Sequence, residues 1–128
     1  AAVAAALQEA MQPAFKSYAK QIIKNARVLA NELSKKGWRI VSGGTDNHLL
    51  LVDTGARGVS GATASDALEK QGIIVNKNTI PYDTRSPMDP SGIRLGTAAV
   101  TTQGMKEKDM VRLAARIHSV LENERAVL

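Results

Sequence analysis

The stretch from Val75 to Thr97, VNKNTIPYDTRSPMDPSGIRLGT, constrains this chain more than any other. Two short strand-like runs flank a long loop punctuated by Pro81, Pro87 and Pro90. Loops this long inside a small domain are uncommon unless they are functional or disordered. This one carries Asn76, Lys77, Asn78, Thr79, Asp83, Arg85 and Ser86, and the function is expected to be read there.

The rest of the chain has to act as scaffold. Its 128 residues match one domain with a single core. An apolar share of 44% with 23% charged residues is that of a folded globular chain, too hydrophobic for disorder. Cysteine is absent, which excludes a disulfide framework and a thiolate metal site. The apolar runs fall short of the ~20 residues that a membrane span needs, and AAVAAALQEAM lacks the basic start of a signal peptide. A cytoplasmic protein without membrane contact is the plainest expectation. The lack of an initiator methionine points to processing or to a piece of a longer chain. The net charge of +5 is a modest basic excess, compatible with nucleic acid, acidic ligands or neither.

Alanine and leucine dominate from Ala1 to Met11, predicting a helix that must be buried against something. Pro13 fits the first turn of a second helix beginning near Gln12. In that helix Phe15, Tyr18, Ala19, Ile22, Ala26, Leu29, Ala30 and Leu33 form one apolar stripe. Lys16, Lys20, Lys24, Arg27 and Lys35 fall opposite, as a solvated face or a surface for an anionic partner. Gly37 is placed to end the helix.

Trp38–Ser42 and His48–Asp53 read as antiparallel strands joined by the five residues Gly43–Asn47. His48 with Asp46 and Asp53 is a weak metal pattern, and a hydrogen-bonded histidine at a strand end is the better reading. Gly55, Gly58 and Gly61 mark turns and lack the spacing of a phosphate loop. A third helix starts at Ser60 or Thr63 and ends at Gly72, and Ile73–Val75 reads as a brief apolar strand.

Gly92–Thr97 is the second strand of the key stretch. Alternation sends Ile93 and Leu95 to one face, Arg94 and Gly96 to the other. An arginine so presented suits a carboxylate or phosphate ligand, or an ion pair with an acidic side chain. After Gly104, Met110, Leu113, Ala114, Ile117, Val120 and Leu121 give an amphipathic helix to about Glu124, with His118 half-buried at its edge. The expected class is therefore α+β, with helices covering one face of a small, mainly antiparallel sheet.

Several segments are similar in order and spacing to one family. VSGGTDNHLLLVD at 41–53, GIIVNKNTIPYD at 72–83 and SGIRLGT at 91–97, extended by FKSYAKQIIKNARVLA and TTQGMKEKDM, resemble the C-terminal part of the serine hydroxymethyltransferases. The resemblance implies a pyridoxal-phosphate enzyme that reversibly converts serine and tetrahydrofolate to glycine and methylenetetrahydrofolate. It implies the small C-terminal domain of a fold-type-I, aspartate aminotransferase-like architecture. Residues 1–36 would lead in from an absent large domain and residues 37–128 would form the small domain. It further implies that Arg94 binds the substrate α-carboxylate, that Asn78 contacts the folate, and that the whole protein is a homodimer or tetramer. The lysine that carries the cofactor lies upstream in the family, so no catalytic residue is expected in this chain and the chain alone is expected to be inactive. Two positions depart from the family pattern: Ala98 stands where a proline commonly follows, and Gln103 stands where an arginine is common. The rival expectations are a catalytically dead homologue and a basic module binding nucleic acid through Lys16, Lys20 and Lys24.

Overall fold

The computed structural model describes residues 13–41 and 49–127. The segment Ala1–Met11, the connection Gly43–Asn47 and His48, on which expectations of a first helix, a hairpin turn and a strand-end histidine fall, lie outside the described residues.

Helix α1 is Pro13–Lys35, opening on a proline whose missing donor costs nothing at the first helical position. Ala26, Leu29, Ala30 and Leu33 are buried, while Lys16, Lys20, Lys24, Arg27 and Lys35 are exposed. The helix ends as the Leu33 carbonyl accepts from the Trp38 amide at 3.1 Å, with Gly37 at a φ of 95°. Strand β1 is Arg39–Ile40 and strand β2 is Leu49–Asp53. A 3-10 turn at Gly55–Arg57 precedes helix α2, Gly61–Lys70, whose N-cap Ser60 accepts from the Thr63 amide at 3.2 Å. Strand β3 is Asn76–Asn78, strand β4 is Gly92–Gly96, helix α3 is Ala98–Thr102, and helix α4 is Glu107–Val127.

The expected strand at Ile73–Val75 falls three residues early. Ile73 is buried and Val75 half-buried, but Ile74 is 74% exposed, so this run carries the chain off α2 without joining the ladder. Pairing begins only where Asn76 meets Arg94. Gly72, at a φ of 80° with open space around it, turns the chain there.

The four strands form one antiparallel sheet in the order β1-β2-β4-β3. Leu50 stands opposite Leu95 and Val52 opposite Ile93, and all four side chains are buried. They meet Leu29 and Leu33 of α1, Ala64 and Leu68 of α2, and Met110, Ala114, Ile117 and Leu121 of α4. Each such leucine or isoleucine is worth about 1.5–3 kcal/mol on burial, so the sheet's helix-facing side is where the domain is held together. The opposite face bears Arg94, exposed, with Leu51 half-buried and Leu49 exposed beside it. The expectation of a small antiparallel sheet with helices on one face agrees with this architecture.

Two polar clusters fix the helices around that core. Asn25, fully buried, donates from Nδ2 to Thr101 Oγ1 at 2.8 Å and to the Met105 carbonyl at 2.9 Å, and accepts from Gln21 at 2.8 Å. Thr97 Oγ1 donates to the Ile22 carbonyl at 2.8 Å, so α1 is tied to the end of β4 and to α3. At the other end of α1, Trp38 Nε1 donates to His118 Nδ1 at 3.0 Å, and the Arg57 guanidinium lies 4.4 Å from the Trp38 ring centre. Arg57 also pairs with Glu122 at 2.8 Å, closing the 3-10 turn onto α4. His118 is half-buried, as its place on the edge of the α4 stripe predicts.

Helix α2 approaches β4 with almost no clearance. The Gly61 amide donates to the Pro90 carbonyl at 2.6 Å, and a Cβ at Gly61 would lie 2.4 Å from the Gly92 carbonyl oxygen. Only glycine permits that contact.

Candidate functional site

Alternation along β4 and its ladders decide which side chains share the uncovered face. Gly92, Arg94 and Gly96 stand opposite Asp53, Leu51 and Leu49 of β2 on one side, and Gly92 and Arg94 stand opposite Asn78 and Asn76 of β3 on the other. Directly opposed residues point to the same face, so Arg94, Asn76 and Asn78 belong together. Asn78 is one diagonal step from Arg94, about 7–8 Å in such a ladder. The two residues singled out in the sequence are thus brought onto one face of adjacent strands. Asn76, directly opposite Arg94, was named in the sequence only among the polar residues of the key stretch, because its place beside Arg94 is set by the pairing of β3 with β4.

Outside the backbone ladders, the Arg94 side chain makes no hydrogen bond or ion pair with any other described residue. The remaining sheet and loop arginines behave differently: Arg39 pairs with Asp53 at 2.7 Å, Arg57 with Glu122, and Arg85 with Asp89 at 2.9 Å. The ion-pair alternative for Arg94 therefore has no acidic partner among the described residues. Arg94 stands in the middle of a five-residue strand paired on both sides, so its backbone is fixed and its cationic side chain faces outward. The Asn78 side chain donates to the Thr79 carbonyl at 2.8 Å and is half-buried.

The loop beyond Asn78 is folded back by one carboxylate. Asp83 Oδ2 accepts from the Ser91 amide at 2.9 Å and the Ile80 amide at 3.3 Å. Its Oδ1 accepts from Ser91 Oγ at 2.8 Å and from the Arg85 amide at 2.9 Å. The Ser91 and Arg85 amides foremost hold this carboxyl far below the usual carboxylate range. Asp89 continues the docking: Oδ1 accepts from the Ala62 amide at 3.2 Å, at the start of α2, and its pKa is lowered chiefly by the Ser60 side chain. Asp83 was visible in the sequence only as one polar residue among seven, because its role depends on which amides the folded loop turns toward it.

Other candidates resolve into structural roles. Asp53 is buried, accepting from Arg39 and from the Ala56 amide at 3.0 Å. No cluster of three or more metal-ligating side chains occurs among the described residues. No described helix is long and apolar enough to cross a membrane. The basic row of α1 is solvent-facing. Two surface clefts, one of about 410 Å³ beside Gly104, Glu107 and Arg112 and one of about 350 Å³ at Asp66, Glu69 and Lys70, include neither Asn78 nor Arg94.

Pyridoxal phosphate requires a lysine held in a pocket. Among the described residues no lysine is buried, and Lys77, nearest in sequence to the site, donates to the Met88 carbonyl at 2.9 Å. These residues do not by themselves make a cofactor site.

Fold and face together define an α+β domain with one side of its sheet closed by helices and the other offering an outward-facing arginine and two asparagines. The family model for serine hydroxymethyltransferase matches residues 1–117, and the chain belongs to the serine hydroxymethyltransferase family. It is 57% identical over 123 residues to a serine hydroxymethyltransferase of Acidobacterium capsulatum, covering 96% of this chain and 29% of that protein. With a serine hydroxymethyltransferase of Acidothermus cellulolyticus it shares 56% identity over 120 residues, covering 94% of this chain and 28% of that protein. The chain thus spans under a third of the length of these relatives.

Proposed function

We propose that this chain is the C-terminal part of a serine hydroxymethyltransferase and supplies one wall of its substrate site. The observation that carries the reading is Arg94, fixed mid-strand on the uncovered face and free of any acidic partner among the described residues. Its planar fork of donors matches a carboxylate in two parallel hydrogen bonds. In this reading Arg94 grips the α-carboxylate of serine or glycine and Asn78 contacts tetrahydrofolate. Helix α1 leads from a larger, fold-type-I domain into the small domain that begins near Gly37. That larger domain, in a dimer or tetramer, holds pyridoxal phosphate, which supplies the electron sink for the bond broken at Cα.

The work of this chain is orientation. A two-point grip on the carboxylate fixes the rotation of the amino acid, and correct alignment can be worth several kcal/mol of barrier. The ladders on both sides of β4 fix the Arg94 backbone, so the side chain starts from a set position on the sheet.

The test is Arg94→Lys in the full-length protein, which keeps the charge and removes the fork. Serine KM should rise and kcat fall, with kcat/KM reduced about 10- to 100-fold, the equivalent of the 1.5–3 kcal/mol typical of a hydrogen bond to a charged group. Near-wild-type serine turnover would refute the assignment. The isolated chain, given pyridoxal phosphate and tetrahydrofolate, should not interconvert serine and glycine. Turnover by it would sink the view that the cofactor wall lies elsewhere in the protein.

A further inference from the structure

We infer that Asp83 is the positioning residue for the folate side of the site, clasping the loop that follows Asn78 so that the end of β3 stays registered on β4. This rests on the reading of Asn78 as a folate contact.

Strand β3 has three residues and a ladder on one side only, and its last pair is Asn78 with Gly92. From there the chain runs through an exposed loop before returning at Ser91. Asp83 joins the two limbs at their base, taking the Ile80 amide two residues past Asn78 and both the amide and hydroxyl of Ser91 one residue before Gly92. The turn itself is closed by the Asp83 amide, which donates to the Ile80 carbonyl at 3.1 Å. Tyr82 adopts a φ of 58°, a left-handed conformation that bulky residues rarely take, and its ring is fully exposed, so no packing of that ring holds it there. Such a backbone persists only where its surroundings fix it, and Asp83 does so twice, through its own amide on the Ile80 carbonyl and through its carboxylate, which accepts from Ile80, Arg85 and Ser91. Of the other ties, Lys77 to Met88 and Arg85 to Asp89 use exposed side chains, while Asp89 holds the returning limb to the Ala62 amide of α2 and does not reach the limb that leaves Asn78.

Arg94 does not depend on the clasp, because it lies mid-strand between Leu51 and Asn76. The two halves of the site should therefore separate. All four partners of the Asp83 carboxylate are donors, two to each oxygen. An amide has one acceptor oxygen, so Asp83→Asn turns an NH2 group toward two of them.

In the full-length enzyme, Asp83→Asn should raise the tetrahydrofolate KM about tenfold or more while leaving the serine KM and glycine binding by calorimetry within about twofold. Hydrogen exchange should accelerate at the Ile80, Arg85 and Ser91 amides. Ser91→Ala, which removes one donor and keeps the charge, should do the same more weakly, and it serves if Asp83→Asn does not fold. A parallel rise in both KM values, or an unchanged tetrahydrofolate KM in a background where Asn78→Ala raises it, would overturn the inference alone. An unchanged tetrahydrofolate KM in Asn78→Ala would overturn the folate reading and this inference with it.

Discussion

Replacing Gly61 by alanine tests how tightly the site is built against the helical layer. The added Cβ would lie 2.4 Å from the Gly92 carbonyl oxygen and 2.8 Å from that of Pro90, both backbone atoms. Relief to an ordinary contact requires α2 to withdraw by about 1 Å. That movement gives up the 2.6 Å bond from the Gly61 amide to Pro90 and the 3.2 Å bond from the Ala62 amide to Asp89. Overpacking costs about 1–3 kcal/mol and a lost backbone hydrogen bond about 1 kcal/mol. Against these stands a gain of up to about 1 kcal/mol from replacing glycine in a helix. The net expectation is about 2–3 kcal/mol, a large share of the 5–15 kcal/mol typical of a domain. Urea unfolding followed by circular dichroism measures it directly. Gly72→Ala is the matched control: nothing lies within 4 Å of its Cβ position and only the positive φ of 80° is strained, for about 1 kcal/mol. Gly72→Asn should recover part of that, since asparagine tolerates the left-handed region. If Gly61→Ala proved milder than Gly72→Ala, the close approach of α2 to β4 would be wrong.

Asn25→Ala takes the donor away from the buried Thr101 hydroxyl and from the Met105 carbonyl and should cost about 2–4 kcal/mol, measured by the same unfolding assay. A cost below about 1 kcal/mol would mean that the network does not hold α1. Trp38→Phe keeps the ring over Arg57 but removes the bond to His118, for an expected loss of about 1 kcal/mol; a neutral result would count against that hydrogen bond. Acid stability gives a third check. Asp83 and Asp89 have folded pKa values below their unfolded ones, so their contribution is fully present above the unfolded value near ~3.9 and is lost as pH falls toward the folded values. Stability measured from pH 5 downward should therefore decline, and less steeply in Asp83→Asn; an identical slope in wild type and variant would contradict the clasp.

What could be read from the sequence was whatever depended on local period. The α1 stripe, the Ser60 cap, the glycines ending α1 and α2 and the outward direction of Arg94 all follow from spacing within a few residues. Strand β3 did not, because its position is set by pairing with β4 and not by its own composition: the apolar run 73–75 is the better strand by propensity, yet polar Asn76–Asn78 carries the ladder. The adjacency of β2 and β4 joins residues some forty positions apart, beyond any local signal. The grip of Asp83 on Ile80, Arg85 and Ser91 was equally hidden, since a carboxylate finds its amides only after the turn at Pro81 and Tyr82 has formed.

The tie between α1 and the far end of the chain bears on how the protein is made. Asn25 meets Thr101 and Met105, Trp38 meets His118, and the α1 stripe shares its core with Ile117 and Leu121 of α4. A ribosome working at roughly 5–20 residues per second finishes α1 several seconds before α4 begins to emerge. Through that interval Leu29 and Leu33 lack their partners on α4, so that part of the apolar stripe of α1 is not yet closed, and chaperone capture or aggregation competes with folding until α4 arrives.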